Sequence, residues 1–493
     1  MKNMKNSKNK NNGVSAPEIF FVWSDELQDR FDPFFYRPVF KKLLEVIANN
    51  KTAKIMLKEA ITNSYAGEWG EDPIDFEPNP DYELCYVVRN TNFHNDFNLD
   101  FSDVAQRYIK KSKAEKIALK KGDILIEKSG GSPIQPVGRV ALVDDLPFDK
   151  PVVFSNFLQK MEVNKELFLP EYIFVYLQAL YKTGYMDFIQ NQTTGIKNLR
   201  LDDFFKILII KPSIAEQKKV AMKAIESREE ARGLLEKAKT ILASIDSFVL
   251  GELGIEIERE REELAFAITS DEIEGRIDPF FYKPYLRNLV AQIKSKKHFK
   301  LSEAITEISG GATPKVTEDY YLDEGGIPFL RVQNITEMGI NLDDVKFIKP
   351  EVHETMLKRS QLKRDDLVFT ITGRIGSVAV VPDNFEGNIN QHSVRFHLRD
   401  KIKDMEVLPE YVASFFNTNV GRDLSFRYTT GGTRPALDYE ALRSLVVPLP
   451  ELKTQEKIVA GVKTIYNKAR NLRQEAETVI AEAQKQTAEM IFA

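Results

Sequence analysis

The side chains in this sequence that are best suited to a chemical task are hydrogen-bonding residues in short turns. In the second half of the chain they follow strand-like runs or lie beside glycines. Amides, guanidinium groups and hydroxyls on such loops can bond base edges, and a glycine-rich turn with hydroxyls and a cation suits a phosphate. The candidates there for contact with nucleic acid are Arg331, Gln333, Asn334, Thr372, Arg374, Asn390, Gln391, His392, Thr429, Thr430, Gly431 and Arg434.

A comparable set of polar turn residues occurs in the first half. The alternative, that polar residues bounded by glycine simply form turns, stays open for every residue in both sets. The candidates in the first half are Arg89, Asn90, Asn92, Lys128, Ser129, Arg139, Thr193, Thr194, Lys197, Asn198 and Arg200.

Residues 107–121, RYIKKSKAEKIALKK, form a strongly basic strip with seven Lys or Arg residues against one Glu. Such a strip can follow a phosphate backbone, because neutralised phosphates supply most of the affinity for DNA. It could equally be the solvated face of a helix, and the sequence leaves both interpretations open.

Arrangements typical of catalysis are missing from the sequence. Asn79-Pro80-Asp81-Tyr82 comes near the Asn-Pro-Pro-Tyr motif with which amino-methyltransferases hold a flipped base, but its third residue is Asp. There is no phosphate-binding loop of the Gly-x-x-x-x-Gly-Lys-Ser/Thr type. One cysteine, Cys85, excludes an internal disulfide and a cysteine zinc site. We therefore expect no catalytic residue and no metal in this chain, and a reducing, cytoplasmic location.

The chain is an internal duplication. Residues 30–38, RFDPFFYRP, and 276–284, RIDPFFYKP, are identical at seven of nine positions. Three further matches follow in the same order, and four matches in register are not a coincidence. They pair Leu169-Pro170-Glu171-Tyr172 with 408–411, Thr193-Thr194-Gly195 and Leu199 with 429–431 and Leu437, and Gln217 with Gln455.

Each half has the same plan, which predicts an α+β protein with two pseudo-repeated mixed α/β domains. A short leader precedes strand-like runs that are rich in Val, Ile and Phe, such as Phe204 to Ile210, and a long segment without strand signals follows. No window reaches the length of apolar sequence that a membrane span needs. The predicted divisions are a disordered tail (1–26), leader and first domain (27–212), a central long spacer helix (213–266), leader and second domain (267–448), and a C-terminal long spacer helix (449–493).

The two long segments predict helices that pack on each other. Apolar residues spaced by three and four form one stripe per helix, and such a stripe requires a partner. We expect an antiparallel, coiled-coil-like pair, with separate helices on their own domains as the alternative. The stripes are Ala231, Leu234, Ala238, Ile241, Ile245 and Phe248, and Ala469, Leu472, Ala476, Val479, Ala483 and Met490, with Gln486 as the polar seam position.

The repeated leader motif contains aromatic residues that could stack on an unpaired base. Because it lies outside the domain bodies, its position favours packing against the helical pair or a partner protein. The net charge of −4 also counts against binding of DNA by the chain alone, since DNA-binding proteins are usually basic.

The motifs of the second half resemble a target recognition domain of the specificity subunits of type I restriction–modification enzymes. Their order and their duplication are more specific than any single motif. The matching segments are Ser309 to Lys315, Tyr320-Tyr321, Gly326 to Arg331, Gln333 to Ile335, Asp365 to Val368, Thr372 to Gly376, Asn390 to His392, Thr429 to Pro435, and Gln455 before a long helix.

The resemblance implies a non-catalytic subunit in which each domain reads one half of a bipartite site on double-stranded DNA. It further implies that the helices set the spacing, that two methyltransferase subunits dock, and that restriction or translocase subunits can join them. S-adenosylmethionine and ATP are then expected only on the partners. The first half lacks the Ser-Gly-Gly-x-Thr-Pro signature, reading TNSYAGEWGEDP instead. The alternatives are a recognition subunit of a related two-part system, a stand-alone DNA methyltransferase or nuclease, and a helical scaffold without nucleic acid.

Overall fold

A computed structural model describes residues 21–22, 36–77, 79–94, 97–131, 136–193, 196–256, 265–431 and 434–492. Nearly all of the predicted tail and residues 30–35 of the first leader motif lie outside these ranges. The chain divides into two compact units. The first unit comprises residues 1–232 and 476–493, and the second comprises residues 233–475.

The first unit contains a leader helix, a body of short strands and helices, and the start of a long helix. Strands β2-β9-β5-β7 form an antiparallel sheet, β4-β3-β8 and β10-β11-β6 form three-stranded sheets, and β1 pairs with β12. The elements are α1 (Pro38–Asn49), β1 (Lys54–Met56), α2 (Leu57–Ala60), β2 (Ile61–Ala66), β3 (Tyr82–Val88), β4 (Ala105–Lys110), α3 (Lys111–Ile117), β5 (Ile124–Glu127), β6 (Ser129–Gly131), β7 (Val140–Leu142), β8 (Val152–Phe154), β9 (Leu158–Val163), α4 (Pro170–Lys182), α5 (Tyr185–Phe188), β10 (Gln190–Thr193), β11 (Ile196–Leu199), α6 (Leu201–Phe204), β12 (Leu208–Ile210) and α7 (Ile214–Leu253).

The second unit has the same order of parts. Strands β14-β23-β20-β21 form an antiparallel sheet, β15-β19-β16-β22 form a second sheet, and β13 pairs with β26. Its elements are α8 (Pro284–Lys294), β13 (His298–Lys300), α9 (Leu301–Ala304), β14 (Ile305–Gly310), β15 (Tyr321–Leu322), β16 (Ile327–Leu330), β17 (Ile335–Thr336), β18 (Gly339–Ile340), β19 (Lys346–Ile348), α10 (Pro350–Glu354), β20 (Leu367–Thr370), β21 (Val378–Val380), β22 (Asn388–Ile389), β23 (Ser393–Leu398), β24 (Lys401–Ile402), β25 (Met405–Glu406), α11 (Pro409–Phe416), α12 (Asn419–Arg427), α13 (Tyr439–Ser444), β26 (Val446–Pro448) and α14 (Leu452–Phe492).

The strand order confirms the duplication and the α+β class. The sheet β2-β9-β5-β7 corresponds strand for strand to β14-β23-β20-β21, and the pair β1–β12 corresponds to β13–β26. Among the described strands, each unit also has a parallel pair, β3 with β8 and β16 with β22. The repeated sequence motifs therefore mark two copies of one topology.

Two of the repeated motifs hold each domain body to the first turn of a long helix. Gln217 in α7 is fully buried; its Oε1 accepts from Leu169 N at 2.9 Å and its Nε2 donates to Leu167 O and Pro212 O at 3.1 Å. Gln455 in α14 makes the equivalent three bonds, to Leu408 N, Glu406 O and Pro450 O, at 2.8–3.0 Å. The tyrosine of each Leu-Pro-Glu-Tyr motif likewise bonds the last residue of a strand, Tyr172 to Ile210 O and Tyr411 to Pro448 O.

The long helices run antiparallel within each unit, as predicted. In the first unit Val220, near the start of α7, shares a core with Ile491, near the end of α14. In the second unit the last turns of α7 share a core with Ile458 and Val462 of α14, and Lys457 Nζ lies 2.8 Å from Glu252 Oε1. A β-carbon on Gly461 would collide with the Phe248 ring, so this glycine permits the close approach.

Two details of the helix prediction were wrong. Gln486 and Met490 are exposed, and Thr487 and Ile491 are the buried residues, because a period of 3.6 residues drifts away from a strict heptad. The helical part of segment 213–266 ends at Leu253. Gly254 adopts φ +59° and Ile255 N donates to Leu250 O at 2.9 Å, which is a Schellman stop.

The strand predicted from Phe204 to Ile210 covers only Leu208–Ile210, because Phe204 ends the short helix α6 and points into the core. Among the described residues, no helix combines the length and the apolar character that a membrane crossing requires.

The buried amide of Gln455 generates a stability prediction. We expect Gln455→Ala to lower the free energy of unfolding by about 2–4 kcal/mol, since each buried group left unpaired costs about 1–3 kcal/mol. Gln486→Ala, an exposed position on the same helix, is the control and should change stability by less than about 0.5 kcal/mol. Denaturant unfolding of the full chain measures both variants, and equal small effects would contradict the role of Gln455.

Candidate nucleic-acid interface

In the second unit, several predicted contact residues meet at one end of the sheet β14-β23-β20-β21. The register pairs Gly310 with Val394 and Thr370 with Ser393. The loops that follow β14 and β20, and the turn that precedes β23, therefore leave the sheet at the same end of its strands. Thr372, Gln391 and His392 lie at this end.

A chain of side-chain hydrogen bonds links these loops. Thr313 Oγ1 bonds Gln391 Oε1, Gln391 Nε2 lies 3.3 Å from His392 Nε2, and His392 Nδ1 lies 2.6 Å from Thr372 Oγ1. Thr372 also forms a backbone bridge with Ala436, which in turn pairs with Thr430. The glycine-containing turn is thereby attached to the same surface, with Arg434 exposed beside it. We call Thr313, Thr372, Gln391, His392, Thr430 and Arg434 the second-unit patch.

Four other predicted residues of this unit use their polar groups within the protein. Asn334 is 2% exposed, and its amide bonds Arg331 N and Asn341 O. Asn390 is 7% exposed and accepts from His392 N, and the hydroxyl of Thr429 donates to Phe426 O. Arg374 pairs with Glu337, which also holds Arg422. We therefore leave Asn334, Asn390 and Thr429 out of the proposed contact surface.

Gly431 is required by its turn rather than by a ligand. Its φ is +92°, and a β-carbon there would lie 2.9 Å from Arg434 O. A glycine is the residue that such a conformation favours. Its neighbours Gly432 and Thr433 lie outside the described residues.

Arg331 and Arg89 belong to one structural element that occurs in both units. In each, the arginine N–H donates to an asparagine side chain three residues later, Arg331 to Asn334 at 2.9 Å and Arg89 to Asn92 at 2.8 Å. In each, the guanidinium group bonds both the backbone carbonyl and the carboxylate of one aspartate, Asp344 or Asp103. Gln333 Nε2 also donates to Asp344, at 2.7 Å. We call this element the Arg–Asn–Asp loop.

In the first unit, Lys128, Ser129, Lys197 and Asn198 come together because β6 pairs with β11. Ser129 Oγ donates to Asn198 Oδ1 at 2.6 Å. Leu199 N donates to Lys128 O, just as Leu437 N donates to Ile371 O in the second unit. This equivalence confirms the match of Leu199 with Leu437, and it places the cluster at the position that Thr372 occupies in the second unit. The Thr-Thr-Gly part of the match is wrong, because Asn198 pairs with Asn191, whereas the equivalent Ala436 pairs with Thr430.

The basic strip acts electrostatically on this cluster through the Lys113 ammonium. Burial lowers the pKa of Lys128 below its ordinary value, and the Lys113 ammonium lowers it further. Other members of the strip are committed within the protein: Arg107 lies 2.7 Å from Asp72, and Lys121 lies 3.0 Å from Asp145. We call Lys113, Lys128, Ser129, Lys197 and Asn198 the first-unit patch.

The remaining predicted residues of the first unit are buried, paired within the protein or outside the described residues. Arg139 is 8% exposed and makes two bonds to Glu127, with further bonds to Phe93 O and Asn90 O. Arg200 pairs with Asp203 at 2.9 Å, and Asn92 is buried at 3% exposure. Thr193 lies in β10; its side chain, and Thr194 as a whole, lie outside the described residues.

The sequence prediction did not single out Thr313 or the backbone at Gly67, and it named Lys113 only as a member of the basic strip. Thr313 was visible within the Ser-Gly-Gly-Ala-Thr-Pro segment, but only the fold shows its bond to Gln391. At Gly311 a β-carbon would collide with the Ile389 and Asn390 carbonyls, and at Gly67 it would collide with those of Phe154 and Ser155. The first half therefore retains one glycine of the signature that it otherwise lacks.

The second leader motif packs on its own unit: two of its three rings are buried, and the Phe280 ring packs 5.3 Å from the Phe426 ring. Phe281 and Tyr282 are 1% and 2% exposed, and the guanidinium carbon of Arg427 lies 3.9 Å from the centre of the Phe281 ring. Arg276 donates to Tyr428 O and Thr429 O. The motif thus supports the turn at Thr429, so the stacking hypothesis is wrong for this copy.

The described residues contain no group of three or more His, Cys, Asp or Glu side chains placed to hold a metal ion. Burial raises the pKa of the Cys85 thiol to about 12, so this group stays protonated and unreactive near neutral pH. Asp81 and Tyr82 of the Asn-Pro-Asp-Tyr segment lead into β3, where Tyr82 pairs with Lys110.

The family comparison and the curated relatives identify the same kind of protein. The family described as "Type I restriction modification DNA specificity domain" matches residues 67–223 and 294–480, more than half of the chain. The chain is 23% identical to the type I restriction enzyme EcoBI specificity subunit of Escherichia coli over 337 residues, 67% of this chain and 66% of that protein, just under two thirds. It is 26% identical to the EcoKI specificity subunit of Escherichia coli strain K12 over 371 residues, 73% of this chain and 71% of that protein.

A crystal structure of a Type-I restriction-modification system S subunit from M. genitalium matches with a TM-score of 0.39 and 14% identity, over 90% of this chain and 97% of that chain. With a TM-score under 0.5, this likeness carries no weight in the assignment.

The first-unit patch generates a binding prediction. We expect Lys128→Gln to weaken binding of duplex DNA and to reduce the salt dependence of the binding constant by about one phosphate contact. Lys42→Gln, at an exposed position on the leader helix α1, is the charge-matched control and should leave both quantities unchanged. DNA-binding titrations at several salt concentrations, with the partner subunits present, measure both variants. If the two variants had the same binding constant and the same salt dependence, Lys128 would not be part of the interface.

Proposed function

Because the chain belongs to the family of type I restriction modification DNA specificity domains, we propose that it is the non-catalytic subunit that selects the DNA sequence of a type I restriction–modification complex. Each unit reads one part of a bipartite site on double-stranded DNA. The observation that carries this proposal is the pair of polar surface patches, which lie at corresponding positions of two copies of one topology.

The chemistry of the second-unit patch suits base edges in a groove. Gln391, His392 and the threonine hydroxyls supply both donors and acceptors, and good contacts of this kind discriminate between bases by about 1–3 kcal/mol each. Arg434, exposed beside a glycine-containing turn, suits a phosphate. Contacts with the DNA backbone then position the domain, while the hydrogen-bonded side chains from Thr313 to Thr372 read the base sequence.

The two patches carry different side chains, which supports different half-sites. Where the second unit has Thr372 and Ala436, the first has Ser129 and Asn198, with Lys128 next to them. The backbone bond from Leu199 N to Lys128 O matches that from Leu437 N to Ile371 O. A common scaffold with exchanged contact residues is the arrangement that two different half-sites require.

The duplication also supports two equivalent partners. Each half offers one copy of any shared surface, so two methyltransferase subunits are expected to dock, and restriction or translocase subunits can join them. The long helices α7 and α14 then set the gap between half-sites. S-adenosylmethionine and ATP are bound by those partners, and the complex works on DNA in the cytoplasm.

An exchange of one domain tests the function. We expect that replacing residues 297–448 with the equivalent segment of another specificity subunit will change one half of the methylated sequence and leave the other half and the gap intact. The junctions fall at the paired strands β13 and β26, so the replacement removes a complete sheet pairing rather than splitting one.

The matched control replaces residues 51–212, bounded by the equivalent pair β1 and β12, and should change the other half alone. Methylated positions in DNA modified by each complex are mapped by single-molecule sequencing. A replacement of one domain that changed both halves would contradict the assignment of one half-site to each unit.

A further inference from the structure

Most cationic side chains near the proposed DNA surface are already paired with carboxylates. Arg89, Arg139, Arg200, Arg331, Arg374 and Lys197 lie within 4.0 Å of Asp103, Glu127, Asp203, Asp344, Glu337 and Asp187, respectively. Of the cationic contacts that were predicted individually, Lys128 and Arg434 have no carboxylate partner within the described part of the chain, and neither has Lys113 of the basic strip. The protein therefore neutralises much of the charge with which it would bind DNA.

The Arg–Asn–Asp loops show this pairing in its most exposed form. Arg331 Nη2 lies 3.0 Å from Asp344 Oδ2, and Arg89 Nη2 lies 3.1 Å from Asp103 Oδ2. Both arginine side chains are 27% exposed, whereas those of Asp344 and Asp103 are 76% and 92% exposed. In both units the carboxylate thus projects into solvent over its arginine.

Each loop adjoins the patch of its own unit. Leu330 pairs with Ile389, and Asn390 N donates to Leu330 O at 3.0 Å, which places Arg331 next to the turn that carries Gln391 and His392. In the first unit, a β-carbon on Gly130 would lie 2.6 Å from Asn90 Nδ2, which places that loop against β6. A phosphate backbone that contacted either patch would pass close to the aspartate.

The carboxylates are not the only groups that hold the loops. Each arginine also donates to the backbone carbonyl of the same aspartate, and each asparagine amide bonds the backbone on both sides of the loop. Exposed ion pairs contribute about 0–1 kcal/mol to stability. Because the ion pair adds so little to stability, the presence of the same acidic residue in both units suggests a role on the DNA surface.

We propose that Asp103 and Asp344 are negative determinants of DNA specificity. The inference rests on the proposed function and adds a regulator to the same surface. Each carboxylate neutralises Arg89 or Arg331 and repels phosphate, so DNA of any sequence binds weakly through charge alone. A cognate site forms enough base contacts to displace the weak pair and bring the arginine to the backbone.

The duplication indicates that the loops act on the DNA backbone rather than on bases. The side chains of the two patches differ, whereas the Arg–Asn–Asp geometry is the same in both units. A feature shared by readers of two different half-sites cannot distinguish their bases, but it can set the strength of phosphate contact in both.

The test is Asp344→Asn in the full chain, assembled with its methyltransferase subunits. Asparagine keeps the size of the side chain and the backbone bond to Arg331 while removing the charge. We expect binding of a scrambled duplex to strengthen about three- to tenfold at low salt, with a steeper salt dependence, and binding of the cognate duplex to change less than about twofold. The ratio of cognate to non-cognate affinity should fall.

Asp383→Asn is the matched control. Asp383 is 62% exposed and pairs with Arg364 at 2.7 Å, so it undergoes the same change of charge in an exposed ion pair, although Arg364 also lies 3.1 Å from Asp365. Arg364 precedes β20, while Thr372 of the patch follows it, so this pair lies at the opposite end of the strand. We expect the control to change either affinity by less than about twofold.

A double variant separates action through the arginine from a general charge effect. If Asp344 acts through Arg331, Asp344→Asn should add little in an Arg331→Gln background. The proposal is overturned if Asp344→Asn matches the Asp383→Asn control, if it weakens binding of both duplexes, or if its effect is unchanged without Arg331. Failure of the unmodified complex to prefer its cognate duplex would instead contradict the proposed function.

Discussion

The buried carboxamides of Gln217 and Gln455 are the contacts on which the arrangement of each unit depends. Each amide lies in the first turns of a long helix and bonds three backbone groups of the adjoining domain body and linker. A group that satisfies three buried partners at once fixes both position and orientation, because any rotation leaves some of them unpaired. The recognition loops at the sheet edge are thereby held in a fixed relation to the helix of their own unit.

That constraint explains why so much of the sequence repeats although the contact residues do not. The Leu-Pro-Glu-Tyr tyrosines, the glutamines and the Arg–Asn–Asp loops all bond backbone atoms, whose positions are set by the shared topology. The side chains of the patches do not hold the shared fold together in this way, so they can differ between the units. Thr372 in one unit and Ser129 in the other can therefore contact different bases. Several of the cations beside the patches are matched by carboxylates, so the surface around the patches is less basic than its arginines alone would make it.

Much of the fold followed from the sequence, because duplication and periodicity are visible in residue order alone. The α+β class, the equivalent halves and the antiparallel helices were predicted correctly. The buried residues near the end of α14 were not predicted correctly. The helical period of 3.6 residues differs slightly from the heptad spacing, and the accumulated difference moves the buried position from Gln486 to Thr487. Gly254 marks the end of α7, but a glycine indicates a helix end only when it adopts a positive φ, which the sequence alone does not show.

The site was less predictable, because the chemistry of a side chain depends on its partners. Asn334 and Arg139 have the right residue types for reading bases, yet the fold buries both and uses their donors internally. Conversely, Thr313 and Lys113 gain significance only through a neighbour distant in sequence, Gln391 or Lys128. Residue type identified the loops that form the two proposed patches, whereas three-dimensional contacts decided which members of each loop remain available.

The most direct test of the central claim is to map methylated bases on DNA treated with S-adenosylmethionine, comparing this chain alone with the chain assembled with methyltransferase subunits. The account predicts no methylation by the chain alone, and by the complex a motif of two specific parts separated by a gap of fixed length and unspecified sequence. Methylation by the isolated chain, or a single continuous motif from the complex, would contradict a non-catalytic subunit with two reading units.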